Sequence, residues 1–210
     1  MAVAPTVVFD LDGTLIDGDS TTHWMLGRIK ASWWRIALAF CLIPIGVSLT
    51  LLSRRLGSSM PLWVASVGMG ERALRGSFSA AVGPAWRSEG LKVLQKHILQ
   101  GDRVVIATAA PRWLAEAMFE KLGVELPIIG SELAPFWAGW IGARHCRNDA
   151  KCHGLADSGY HQGWAVAYSD SADDWPLLKR AEKSFLVNAS PKTVARLARK
   201  GIAAHRVEWR

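Results

Sequence analysis

Asp10 and Asp12, in "VVFDLDGT", lie two residues apart directly after a short apolar run. A turn at the end of that run can aim both carboxylates at one point. A second acidic pair, Asp170 and Asp174, follows another apolar run in "VAYSDSADD", and a third run, "RVVIAT", ends on the hydroxyl of Thr108. Crowded carboxylates repel and raise each other's pKa unless a cation neutralises them. Oxygen ligands on short loops suit Mg²⁺, which needs few protein ligands when a phosphate supplies the rest. A single such pair could merely cap a helix. Two, each behind a buried apolar run, point to a metal-assisted site.

The elements that must hold these groups alternate along the chain. "TVVFDL", "RVVIATAA" (Arg103 to Ala110), "GWAVAYSD" and "KSFLVNAS" are apolar runs of strand length, read as buried strands. Pro111 opens a helical pattern through Leu122, where proline suits a helix start. "DDWPLLKRAE" predicts another helix, and "GSELAPFWAGWIGAR" alternates around Gly139 as a small hairpin. Residues 20 to about 100 read as mainly helical. Strands alternating with helices predict an α/β fold: a doubly wound, Rossmann-like parallel sheet with a helical cap inserted after the first strand. Ligands of such sheets gather beyond the carboxyl ends of the strands, where all five polar residues fall. The expected organisation is a catalytic core of residues 1–19 and 86–210, with the cap at 20–85.

Composition narrows the partners. The chain has 210 residues, half of them hydrophobic, so it can bury a substantial core and is not disordered. Its net charge of +7 invites an anionic partner. No nucleic acid is expected: the basic "KTVARLARKGIAAHR" lacks interleaved aromatics and reads as a solvated helix. Cys41, Cys146 and Cys152 cannot all pair within the chain, and "HCRNDAKCH" lacks a usual zinc spacing, so packing is the expected role. "MAVAPTVVFDLDG" has no basic start and meets carboxylates at once, unlike a signal peptide, which predicts a reducing cytoplasmic setting.

These residues resemble the haloacid dehalogenase superfamily of phosphotransferases. Its four motifs are matched in order by "VVFDLDGTL" (Val7 to Leu15), "VVIAT" ending at Thr108, Lys151 in "RNDAKCHGL", and "SDSADD", where Ser169 stands at a position commonly glycine. The resemblance implies that Asp10 attacks phosphorus and becomes an aspartyl-phosphate. It implies that Asp12 protonates the leaving oxygen and then activates water. Asp10, the carbonyl of Asp12, and Asp170 would hold Mg²⁺, with Asp174 supporting that shell. Thr108 would bond the phosphoryl oxygens, and Lys151 would offset their charge. Keeping Asp12 favours a phosphatase over a dehalogenase, since a halide needs no proton. Within the superfamily, "ELAPFWAGWIGARHCRNDAK" is similar to the phosphoserine phosphatase subgroup. The apolar insert, the "GW" hairpin and "YSDSADDWPLL" look most like the membrane-associated phosphatidylglycerophosphatases of bacteria. That likeness implies phosphatidylglycerophosphate as substrate at the cytoplasmic face of the inner membrane; a soluble small-metabolite phosphatase and a non-catalytic membrane-binding module are the alternatives.

The segment Ile36 to Ser53 carries no charge over 18 residues and is bracketed by arginines. A full crossing would part Asp10 from Thr108, Lys151 and Asp170. The next apolar stretch, Met60 to Gly70, covers only ~16 Å as a helix against ~30 Å of hydrocarbon. Pro44 and Gly46 are expected to break the run, giving a re-entrant or interfacial hairpin. From Ser20 to Gly70 there is no Asp or Glu, whereas Arg28, Lys30, Arg35, Arg54 and Arg55 are present. Trp24, Trp33, Trp34 and Trp63 surround the run, as tryptophans do at headgroup depth. Together these predict docking on an anionic membrane surface; a buried core helix is the competing expectation.

Overall fold

The computed structural model describes residues 4–52, 54–161 and 163–210. Residues 1–3, Ser53 and Gln162, and the side chains of residues 49, 50, 52 and 54–58, Arg54 and Arg55 among them, lie outside the described residues. Strand β1 (Thr6–Phe9) is followed by helices α1 (Ser20–Lys30), α2 (Trp33–Leu52), α3 (Arg54–Ser66), α4 (Glu71–Ala80) and α5 (Ser88–Leu99). Then come β2 (Arg103–Pro111), α6 (Arg112–Lys121), β3 (Ile128–Phe136), β4 (Gly139–Arg144), α7 (Asp149–Asp157) and β5 (Trp164–Ser169). A 3₁₀ turn (Ala172–Asp174), α8 (Trp175–Lys179), β6 (Ala181–Val187), α9 (Pro191–Ala198) and β7 (His205–Val207) complete the chain.

One seven-stranded sheet runs in the order β4-β3-β2-β1-β5-β6-β7, parallel except for β4, as a doubly wound sheet requires. β1 lies at its centre, with Val8 beside Val105 on one side and Ala167 on the other. Its apolar run is continuous because both faces are covered. Val7 and Phe9 pack into one core with Leu94, Leu114 and Phe119, and Val8 into the other with Leu155, Leu177 and Leu186. Chain order reverses at β1, and this switch point is where such sheets build their sites.

Several elements differ from the sequence reading. Pro111 ends β2, and the following helix starts one residue later. The predicted helix in "DDWPLLKRAE" divides into the 3₁₀ turn and five-residue α8, because Ala181 and Glu182 join β6. The basic C-terminal segment forms α9 and then a strand that pairs with β6. Pro44 does not break the apolar run: α2 continues through it, forfeiting one backbone bond. The sharp bend, 114°, lies between α1 and α2 instead. Among the described residues no single helix is long and apolar enough to cross a membrane.

The environment of α2 overturns the core-helix expectation. Phe40 is 69% exposed and Leu51 85%, and Ile43, Ile45 and Val47 are each more than half exposed. Two flanking expectations also fail. Trp24 is buried against Phe78 and donates to Ser77 Oγ, because it points inward from α1. Arg35 is buried, donating to Ser32 Oγ and Val67 O and lying over the Trp34 ring, so its charge serves the turn between α1 and α2. Trp33 and Trp34 remain exposed, while Trp63 is half-buried against the β3–β4 hairpin.

Candidate active site

Asp10 follows β1 directly, and its N–H donates to Tyr168 O of the neighbouring strand, fixing it at the switch point. The chain then turns sharply: Thr14, Leu15 and Ile16 all donate backbone N–H groups to Leu11 O. Gly13 has φ +73°, and a Cβ there would stand 2.6 Å from Asp170 Cγ and closer still to Oδ2. Glycine is therefore what lets the Asp170 carboxylate press against this turn. Asp12 Oδ1 accepts from the backbone N–H of Ser20, the first residue of α1. The other end of the site is set by β5: Asp170 N donates to Thr14 Oγ1 at 3.0 Å.

Lys151 is the centre of the charge arrangement. It comes from α7, is buried, and places Nζ 2.7 Å from Asp10 Oδ1 and 2.7 Å from Asp174 Oδ2. Asp174 Oδ2 also accepts from Ser169 Oγ, so this carboxylate orients the lysine. The other oxygen of Asp10 makes no hydrogen bond among the described residues. Thr108 is fully buried, and its Oγ1 accepts from Ala110 N; Ala109 and Ala110 line the cavity beside it. That cavity, about 570 Å³, is bounded by Asp10, Asp12, Lys151, Asp170 and Asp174 at its acidic end and by Met25, Leu62 and Leu133 elsewhere.

Electrostatics follow from burial. Burial pushes Asp10 well above the usual 3.8, Lys151 pulls it back, and the Asp174 and Asp170 carboxylates add to the rise. Burial would lower Lys151, but Asp10 and Asp174 outweigh it and hold the ammonium protonated. Burial lifts Asp12 to about 6 against the hydrogen bonds from Ser20. Asp170 is also raised by burial, with Asp174 adding to it.

One lysine thus faces several carboxylates whose repulsion is not cancelled. The donors are hard oxygens, and glycine at position 13 leaves the room that Asp170 needs, so the residues fit Mg²⁺. Asp10, Asp170 and the Asp12 carbonyl are the groups that would hold it. No three His, Cys, Asp or Glu side chains form a metal cluster among the described residues; the implied set has two carboxylates and a main-chain oxygen. Zinc at "HCRNDAKCH" finds no support: Cys146 and Cys152 are buried, and burial pushes the Cys146 thiol up to about 11. His23 is exposed and borders a small crevice with Trp24 and Phe78, away from the cavity.

Asp10, Asp12, Lys151, Asp170 and Asp174 line one cavity, while Thr108 is buried behind its wall next to Ala109 and Ala110. Sequence reasoning missed the supporting atoms. Ser169, noted only as standing where glycine is common, grips Asp174. Thr14 lies inside the quoted "DLDGT" and ties the first turn to Asp170. The Ser20 N–H on Asp12 is a main-chain contact that no residue type announces.

A family model described as haloacid dehalogenase-like hydrolase matches residues 7–179. None of the curated proteins matches the chain in sequence. Among solved structures, a protein with unknown function from Bordetella pertussis Tohama I is similar at TM-score 0.71 and 18% identity, covering 97% of this chain and 99% of that one. A phospho-aspartyl intermediate analogue of phosphoserine phosphatase is similar at TM-score 0.60 and 14% identity, with 92% and 90% covered. A phosphoserine phosphohydrolase-like protein from Francisella tularensis gives 0.59 and 15%, with 93% and 99% covered. At these identities the likeness shows the fold.

Proposed function

The chain belongs to the haloacid dehalogenase-like hydrolase family, and from that premise we propose that it is a Mg²⁺-dependent phosphomonoesterase whose substrate is phosphatidylglycerophosphate. Asp10 attacks phosphorus, forming a carboxylate–phosphorus bond as the bond to the alcohol oxygen breaks, and Asp12 gives that oxygen its proton. Asp12, now ionised, takes a proton from water, which attacks phosphorus, releases inorganic phosphate and restores Asp10. Lys151 offsets negative charge on Asp10 and the phosphoryl group, and the Thr108 hydroxyl remains able to donate to a phosphoryl oxygen. When bound, Mg²⁺ supplies charge neutralisation for the phosphate. The observation that carries this reading is that Asp10 and Asp12 line one cavity with Lys151 Nζ 2.7 Å from Asp10 Oδ1, and burial lifts Asp12 to about 6. Near neutrality both of its protonation states are within reach, as an acid-then-base role needs.

Support for a lipid substrate comes from the outer side of the cavity wall. Met25 on α1 and Leu62 on α3 line the cavity, while Ile29 on α1 and Met60 and Val64 on α3 line an apolar cleft of about 480 Å³ against α2. That cleft adjoins the exposed apolar side chains of an acid-free stretch, a pairing that suits an anionic bilayer at the cytoplasmic face of a bacterial inner membrane. A soluble phosphatase of the phosphoserine type is the second reading, favoured by the solved structures whose fold covers over nine-tenths of the chain. Phe40→Asp separates the two. On the lipid reading it releases the protein from anionic vesicles and abolishes turnover of bilayer phosphatidylglycerophosphate, with the rate on an aryl phosphate unchanged. Faster turnover of phosphoserine than of the lipid by the wild type establishes the second reading.

A further inference from the structure

The β3–β4 hairpin ends in a two-residue turn at Trp137 and Ala138. Trp137 is 90% exposed and Phe136 beside it 49%. Trp137 also has φ +51°, a left-handed conformation that is an outlier for a bulky side chain. An aromatic ring here is thus both strained at its backbone and open to water. The tip is nevertheless firmly held. Trp63 Nε1 on α3 donates to Phe136 O at 3.1 Å, Gly68 N donates to Ala138 O at 2.6 Å, and Trp140 N donates to Ser66 Oγ at 2.9 Å. The Trp63 ring lies on Gly139, where a Cβ would come within 2.8 Å of Cδ1. The hairpin is therefore clamped to the helix that packs against α2.

Charge is absent from this hairpin between Leu133 and Ala143. β4 is an edge strand protected by α3 rather than by charges, since the Trp140 N–H donates to Ser66 Oγ, but α3 leaves the tip itself open. α3, which clamps it, lies in the acid-free stretch from Ser20 to Gly70. A tryptophan–phenylalanine tip in a run without charge, held by a helix from a stretch without Asp or Glu in a chain of net charge +7, suits the headgroup region of an anionic bilayer. A second copy of the chain fits less well, since two side chains fall far short of the ~800 Å² per partner of a stable interface.

We propose that Phe136 and Trp137 form a second membrane anchor, inserting at headgroup depth alongside α2. The inference rests on the proposed membrane docking by α2, and it holds whether or not the substrate is a lipid. Trp137→Asn is the informative change, because asparagine accepts the left-handed backbone and lacks the ring. The ring buries ~150–250 Å² when covered, and even a third of that corresponds to about tenfold in partitioning. The variant should co-sediment about tenfold more weakly with phosphatidylcholine–phosphatidylglycerol vesicles, at an unchanged aryl phosphate rate. Relief of strain should raise its melting temperature by about 2–4 °C. Phe40→Asp serves as the parallel variant for α2. If Trp137→Asn binds as the wild type does while Phe40→Asp is released, the hairpin anchor fails and α2 docking stands. If the wild type does not sediment, both fail. A lower melting temperature for Trp137→Asn, or a wild-type dimer that it dissociates, overturns the anchor by showing that the ring is covered by protein.

Discussion

Replacing Asp12 with asparagine should make the metal-free protein more stable while disabling it. A carboxyl whose folded pKa lies above its unfolded value holds its proton more tightly when folded. Its contribution therefore favours folding below 3.8 and is lost as pH rises through about 6. The difference of about two pKa units, at 1.36 kcal/mol per unit, amounts to about 3 kcal/mol of strain from an ionised, buried Asp12 at pH 7. Asparagine mimics the neutral acid and still offers Oδ1 to the Ser20 N–H. Denaturation of metal-free wild type and Asp12→Asn, from pH 4 to 8, measures the gap. It should be close to zero at pH 4 and approach 3 kcal/mol at pH 7, or about 6–12 °C in melting temperature. Activity on a poor leaving group should fall by ~10²–10⁴, and by much less on an activated aryl phosphate. A variant no more stable than wild type at pH 7, or a gap independent of pH, would refute the assignment of burial as the cause of the shift.

Lys151→Met should destabilise the fold by about 3–5 kcal/mol at pH 7, because Asp10 and Asp174 lose the ammonium they share; denaturation at pH 4, where the raised Asp10 carboxyl takes up a proton, should show a smaller loss. Gly13→Ala should cost only about 1–2 kcal/mol of backbone strain but at least ~10²-fold in rate, since its Cβ displaces the Asp170 carboxylate. Chelation should silence the enzyme, and Mg²⁺ but not Zn²⁺ should restore it, given hard oxygen donors and a Cys146 thiol that stays protonated.

The site was legible because its parts are local. Asp10 and Asp12 sit in one turn, and each site strand is an apolar run that ends in a polar residue. Period and turn chemistry placed the aspartates and Thr108 at strand ends, whereas Lys151 came only from the family resemblance. What failed depends on partners far along the chain. Trp24 looks like a headgroup tryptophan until Phe78 and Ser77, over fifty residues away, are found beside it. Arg35 looks like a lipid-facing flank until it is found donating to Ser32 Oγ and Val67 O. Pro44 looks like a breaker, yet one missing bond does not end a helix of 20 residues. The strain at Trp137 has no sequence signature, because residue type alone does not give φ.

The helix α3 joins the two proposed activities, and its spacing shows how. Ser59 and Leu62 line the active-site cavity; Met60, Pro61 and Val64 line the apolar cleft against α2; Trp63 and Ser66 hold the hairpin. Thirteen residues thus serve three neighbours: Ser59, Leu62 and Ser66 share one stripe at i, i+3 and i+7 with Trp63 beside it, and the cleft residues Met60, Pro61 and Val64 lie away from that stripe. If α2 and the hairpin tip both engage a bilayer, both hold α3, and the cavity wall that Leu62 supplies is held with it. A headgroup phosphate could reach Asp10 while its acyl chains stay in the membrane. The consequence is a separation of effects along one helix. Trp63→Ala should loosen the hairpin and weaken vesicle binding with little change on an aryl phosphate, because the ring touches Gly139 and Phe136 O and not the cavity. Leu62→Ala, one residue earlier, should leave vesicle binding intact and lower the rate on both substrates by removing a cavity wall. Equal effects of the two substitutions on binding and on rate would show that α3 has no such division, and that the acid-free insert supports the core only as packing.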